Sequence, residues 1–102
     1  MDRLALLHQF LEEEPGDPFN RYALALEYEK HDVQKARALY AELLKDHANY
    51  LPTYYHAGKL LASVGATIEA TEVFARGMAL ARSTNETKAL RELQNAYNEM
   101  LY

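Results

Sequence analysis

The chain has no cysteine, which excludes disulfides, thiolate zinc sites and thiol chemistry and suits the reducing cytoplasm. Basic residues are the minority: Lys+Arg 11 against Asp+Glu 15 gives a formal net charge of -4. Such a balance is not built to neutralise phosphates by bulk electrostatics, so no nucleic-acid partner is expected. Long apolar runs are missing as well. His8, Gln9 and Glu12 interrupt the opening segment, and nothing approaches the roughly 18 consecutive apolar residues of a membrane span. No membrane partner is expected, and a cytoplasmic location follows. What is present is ordinary for a packed domain: 49% hydrophobic and 25% charged residues exclude disorder along the whole chain, and 102 residues allow one domain.

Only four glycines and three prolines occur, and they stand at intervals. Pro15-Gly16-Asp17-Pro18, His31-Asp32, Asn49-Tyr50-Leu51-Pro52, Gly65-Ala66-Thr67 and Ser83-Thr84-Asn85 punctuate the sequence. The segments between them carry apolar residues three and four apart. Leu4, Leu7 and Leu11 share a face, as do Ala36, Leu39, Tyr40 and Leu43, then Val73, Phe74, Gly77 and Leu80, and lastly Leu90, Leu93, Tyr97 and Leu101. No stretch alternates with period two, so six helices and no sheet are expected. Asp17 before Pro18 reads as an N-cap with proline at the first helical position. Asp32 is expected to cap the third helix, Thr67 the fifth, and Ser83 to Glu86 to form a capping box ahead of the sixth. Short connections make neighbouring helices antiparallel, which yields a string of helical hairpins.

The sequence also repeats. A shift of 33 residues sets Ala25 on Gly58 and Tyr28 on Leu61; a shift of 34 sets Ala36 on Ala70, Tyr40 on Phe74 and Leu43 on Gly77. In Ala25/Gly58 and Ala36/Ala70 a small residue falls on a small one and in Tyr40/Phe74 an aromatic on an aromatic, as close helix packing requires. Tyr54, Ala57, Gly58 and Leu61, followed by Ala70, Phe74 and Gly77, match the two-helix pattern of the tetratricopeptide repeat family, which the chain resembles. Leu24, Ala25, Tyr28, Ala36 and Tyr40 form a second, looser copy, which departs at Arg21, where a bulky aromatic is usual, and at Leu43, the later small position. The resemblance implies a small, stand-alone, bacterial-type repeat protein: an all-α fold, a short α-solenoid of antiparallel hairpins in one domain. It divides the chain into a leading helix (1–16), repeat 1 (17–50), repeat 2 (51–84) and a capping helix (85–102).

Chemistry finds few footholds. Ser63 and Ser83 lie in no nucleophile motif, and Gly58-Lys59 lacks the rest of a phosphate loop. His8, His31, His47 and His56 never pair at helical spacing, and Glu12-Glu13-Glu14 point in different directions as a solvated helix end. No metal, no cofactor and no enzymatic activity are expected. The eight tyrosines are more informative. Tyr28 and Tyr40 fall on core stripes, whereas Tyr22 and Tyr55 lie one residue off. Tyr22, Leu26 and Glu29, and likewise Tyr55, Lys59 and Ala62, each share a face at i, i+4, i+7 spacing.

In the family that the chain resembles, the first helix of each repeat lines a concave groove that takes a partner's peptide. The resemblance therefore implies that Tyr22, Leu26, Tyr55, His56 and Lys59 line such a groove, with Lys88 or Arg91 at its far end; the alternative is that the tyrosines pack against neighbouring helices. A sub-class clamps a terminal carboxylate between lysine and asparagine. Those positions hold Tyr22, Leu26, Tyr55 and Lys59 here, so that specificity is not expected. The expected function is a non-enzymatic protein-interaction module with a protein or peptide partner. The apolar ending Tyr97, Met100, Leu101, Tyr102 raises an alternative, a homodimer or assembly subunit.

Overall fold

The computed structural model describes residues 2–102. Six helices follow one another: α1 (Arg3–Glu13), α2 (Pro18–Tyr28), α3 (Val33–Asp46), α4 (Pro52–Ser63), α5 (Thr67–Ser83) and α6 (Thr87–Leu101). No strand occurs among the described residues. The chain divides between Tyr50 and Leu51 into two compact units of three helices each. In the first, α2 packs against both α1 and α3; in the second, α4, α5 and α6 all touch one another.

Local signals account for most of the helix ends. The Asp17 side chain accepts from the Phe19 amide at 3.0 Å with Pro18 opening α2, and Asp32 accepts from the Gln34 and Lys35 amides at 3.2 and 3.3 Å. Asp2 does the same for α1, accepting from Ala5 N at 2.8 Å. Two expected caps are not made. Thr67 is the first residue of α5 rather than its cap, and Ala66 precedes it with no side-chain hydrogen bond. The box from Ser83 to Glu86 also fails to form, because these residues close α5 instead of opening α6. Ser83 and Thr84 hydroxyls both donate to the Leu80 carbonyl at 2.9 Å, which also accepts from the Thr84 amide at 3.1 Å. Asn85 then takes φ 58°, while Glu86 N donates to Ala81 O and Asn85 N to Arg82 O. That is a Schellman ending, and α4 closes in the same way around Gly65 at φ 81°.

The core of the second unit is built on glycine. A Cβ at Gly58 would lie 2.6 Å from Phe74 Cζ and 2.7 Å from Cδ1, closer still to Cε1. A Cβ at Gly77 would lie 2.6 Å from the Cβ of Tyr54. Phe74 is 0% exposed and Tyr54 2%, so each glycine is the slot that admits an aromatic ring between α4 and α5. Phe74 also meets Tyr97 of α6 edge to face, with centroids 6.3 Å apart.

The first unit fills the corresponding volume differently. Ala25 and Tyr40 keep the small–large pairing and are buried. At the other pair, however, Leu43 stands at the Gly77 position with 0% exposure, and Arg21 replaces the tyrosine. Leu7, Ala23 and Leu24 form a cluster that Leu4, Leu11, Tyr28 and Leu39 flank. Tyr28, expected in the core, is only half-buried, its ring edge-on to His8 at 5.7 Å and its hydroxyl 2.7 Å from His8 Nε2.

A charged latch holds α1. Glu27, only 8% exposed, binds Arg3 Nε at 2.9 Å, His31 Nε2 at 3.1 Å and Lys30 Nζ at 3.6 Å. Burial by itself would raise the Glu27 carboxyl, but the His31 hydrogen bond, the Lys30 charge and the Arg3 contact outweigh it and leave it below the ordinary range. A depressed carboxyl contributes stability above the unfolded value, about 4.3, and loses it as pH falls through the folded value. Thermal melts of wild type and Glu27→Gln should accordingly differ at pH 7 and converge as the pH drops below about 4; an equal gap at both pH values contradicts the latch.

Candidate functional site

The residues singled out on the first helices occupy comparable positions in their two units. On α2, Tyr22 and Leu26 are half-buried. Tyr22 meets Tyr50 edge-on at 5.6 Å and Phe19 at 6.4 Å, so its ring belongs to an aromatic group rather than standing alone. Burial, then the Tyr50 and Glu29 charges, push the Tyr22 phenol above its usual value. Glu29, on the same line, accepts the Tyr40 hydroxyl at 2.5 Å. Tyr40 is raised strongly by burial and by that carboxylate, which keeps both groups engaged inside the unit.

On α4, Tyr55 and His56 are half-buried and meet edge to face at 5.2 Å, while Lys59 is exposed. The Lys59 ammonium sits 5.1 Å above the Tyr55 ring and 3.4 Å from its hydroxyl, an i, i+4 stack that presents a cation and a phenol together. Lys59 also lines a cleft of about 300 Å³ between α4 and α6, with Ala62 and Ser63 on one wall and Ala96, Glu99 and Met100 on the other. Glu99 is not marked by the sequence pattern, and Met100 is marked only as part of the apolar ending, although their spacing from Ala96 on α6 puts them near one another. Arg91 is exposed on α6 and is not among the residues lining this cleft.

Catalytic options are narrow. Ser63 Oγ donates to Leu60 O at 2.7 Å and Ser83 Oγ to Leu80 O at 2.9 Å, so both hydroxyls are directed into their own helices. Among the described residues, no three His, Asp or Glu side chains gather as metal ligands, and no helix is long and apolar enough to cross a membrane.

Solved structures decide the family. A crystal structure of a tetratricopeptide repeat domain protein from Salinibacter ruber matches with a TM-score of 0.78 at 42% identity, over 82% of this chain and 96% of that one. A solution NMR structure of a tetratricopeptide repeat domain protein from the same organism matches with a TM-score of 0.80 at 43% identity, over 85% and 89%. This chain belongs to the tetratricopeptide repeat family. No family model matches the sequence, nor does any curated protein. Tetratricopeptide repeat domains are helical scaffolds that generally mediate protein–protein contacts. In this member, the aromatic-into-glycine packing joins α4 to α5, and Tyr55 and Lys59 each stand one residue beyond a core position, Tyr54 and Gly58.

Proposed function

We propose that the protein is a non-enzymatic cytoplasmic interaction module that holds a peptide segment of a partner protein against the groove-lining faces of its first helices. Tyr22 and Leu26 serve in the first unit and Tyr55, His56 and Lys59 in the second, with Arg91 as a charged contact on α6. The observation that carries this reading is the Tyr55–Lys59 stack: a large amphipathic ring and a cation, held together at 5.1 Å and left accessible. Tyrosine offers contact area and a hydroxyl at low rotamer cost, which suits recognition of a peptide. So short a set of contacts supports micromolar rather than nanomolar affinity, since ordering the segment offsets much of the gross contact energy.

The test is capture from native lysate with wild type and Tyr22→Ala/Tyr55→Ala side by side. Tyr22→Ala should lower stability by about 1–2 kcal/mol through its lost aromatic contacts, and Tyr55→Ala by under about 1 kcal/mol. The doubly substituted protein stays folded and loses its partner. Undiminished capture by that variant contradicts the reading. Exposed Leu101 and Tyr102 at the end of α6 favour a second reading, self-association as an assembly subunit. Sedimentation equilibrium at micromolar concentration decides it, because a strict monomer removes it.

A further inference from the structure

We propose that the cleft formed by α1, α2 and α3 is a second docking site, one that takes an acidic segment of a partner protein anchored by a single apolar side chain. The inference stands apart from the first-helix faces, since it uses the opposite side of α2. The cleft has a volume of about 390 Å³ and an apolar floor of Leu11, Leu24 and Leu39. It exists because Arg21 stands where the second unit has the buried Tyr54. With Leu43 filling the interior at that level, Arg21 lies at the margin, its side chain 21% exposed.

The rim carries two cations, Arg21 and Lys35, against one carboxylate, Glu42, in a chain of net charge -4. Arg21 reaches Glu42 only loosely, Nε to Oε1 at 4.0 Å. Lys35 forms no ion pair among the described residues, and its ammonium lies 5.5 Å over the Tyr28 ring. Tyr28 is in turn fixed as a wall by its 2.7 Å contact with His8. An unpaired cation and a loosely paired one above three leucines complement an anion carried beside an apolar group. The rim residues His8, Lys35, Ala38 and Glu42 are all exposed, so the cleft is open. A free small molecule would stay largely wet there, whereas small-ligand sites bury roughly 70–90% of their ligand. A chain segment avoids that limit, because it places one side chain on the leucines and continues across the rim with carboxylates toward Arg21 and Lys35.

The probe is a fluorescein-labelled peptide with leucine and phenylalanine at its centre and aspartates on both sides, read by polarisation and by amide shifts of the labelled full chain. Binding should move the amides of Leu24, Lys35 and Leu39, and should weaken as salt rises. The same peptide with lysines for aspartates should bind at least about tenfold more weakly. Lys35→Glu, an exposed substitution that leaves the core intact, should weaken the aspartate peptide about fivefold or more, while Tyr55→Ala should leave it unchanged. Equal affinity for the two peptides, no effect of Lys35→Glu, or shifts concentrated at Tyr55 and Lys59 would each overturn the proposal. Displacement of the peptide by free decanoate at comparable concentration would make the cleft a small-amphiphile site and overturn it equally.

Discussion

Gly58→Ala is expected to lower the thermal midpoint by roughly 10 °C, although alanine is the better helix former. Helix propensity alone predicts a gain of about 1 kcal/mol for this change in the interior of α4. The added methyl, however, would overlap the Phe74 ring, at 2.6 Å from Cζ, and Phe74 is fully buried between α4 and α5. Overpacking of this kind costs about 3 kcal/mol, so the net loss is about 2 kcal/mol. At about 4–8 °C per kcal/mol for a domain of this size, that gives the stated fall. Combining Gly58→Ala with Phe74→Leu should recover part of the loss, because the two side chains compete for one volume. A stabilising Gly58→Ala, measured by calorimetry, would mean that α4 and α5 do not approach as described.

The largest single effect is expected at Leu43. Leu43→Gly removes a fully buried side chain from α3 and adds the entropic penalty of glycine in a helix, together about 4 kcal/mol. The second unit solves the same packing problem with the pair Gly77 and Tyr54, so adding Arg21→Tyr to Leu43→Gly installs that solution in the first unit. The combination should regain at least about 1 kcal/mol by denaturant unfolding, whereas Arg21→Tyr alone should gain nothing, since Leu43 already holds the space. Strict additivity would show that the two units are not packed by the same rule.

These two pairs also mark how far the sequence could be read. Helical periodicity, the caps at Asp17 and Asp32 and the small-on-small, aromatic-on-aromatic register all follow from local pattern, and the helices follow that pattern. Ser83 to Glu86 has the spacing of a capping box yet closes a helix, because serine, threonine and asparagine serve at either end of one. Only the tertiary path settles that they complete α5, with Asn85 taking the left-handed turn. The cap at Asp2 is not legible in the sequence, because a cap at the second residue has little sequence before it to mark a helix start. The latch at Glu27 joins residues 24 apart in sequence, Arg3 and Glu27, and no periodicity reports such a pair. The cleft beside Arg21 was signalled by a departure from the repeat, but a departure does not say whether a hole is filled or left open. Leu43 answers that, and only the packed structure shows it. For the candidate site, spacing identified which residues share a face with Tyr22 and Tyr55, but not that Tyr22 shares its ring contacts with Phe19 and Tyr50.

Site-specific photocrosslinking in cells shows whether the Tyr55 face of α4 meets a partner. A benzoylphenylalanine placed at position 55 should crosslink to a discrete partner band, while the same residue at exposed Glu72 on α5 should give none. A partner band from position 72 with none from position 55 would mean that the Tyr55 face is not where the partner binds.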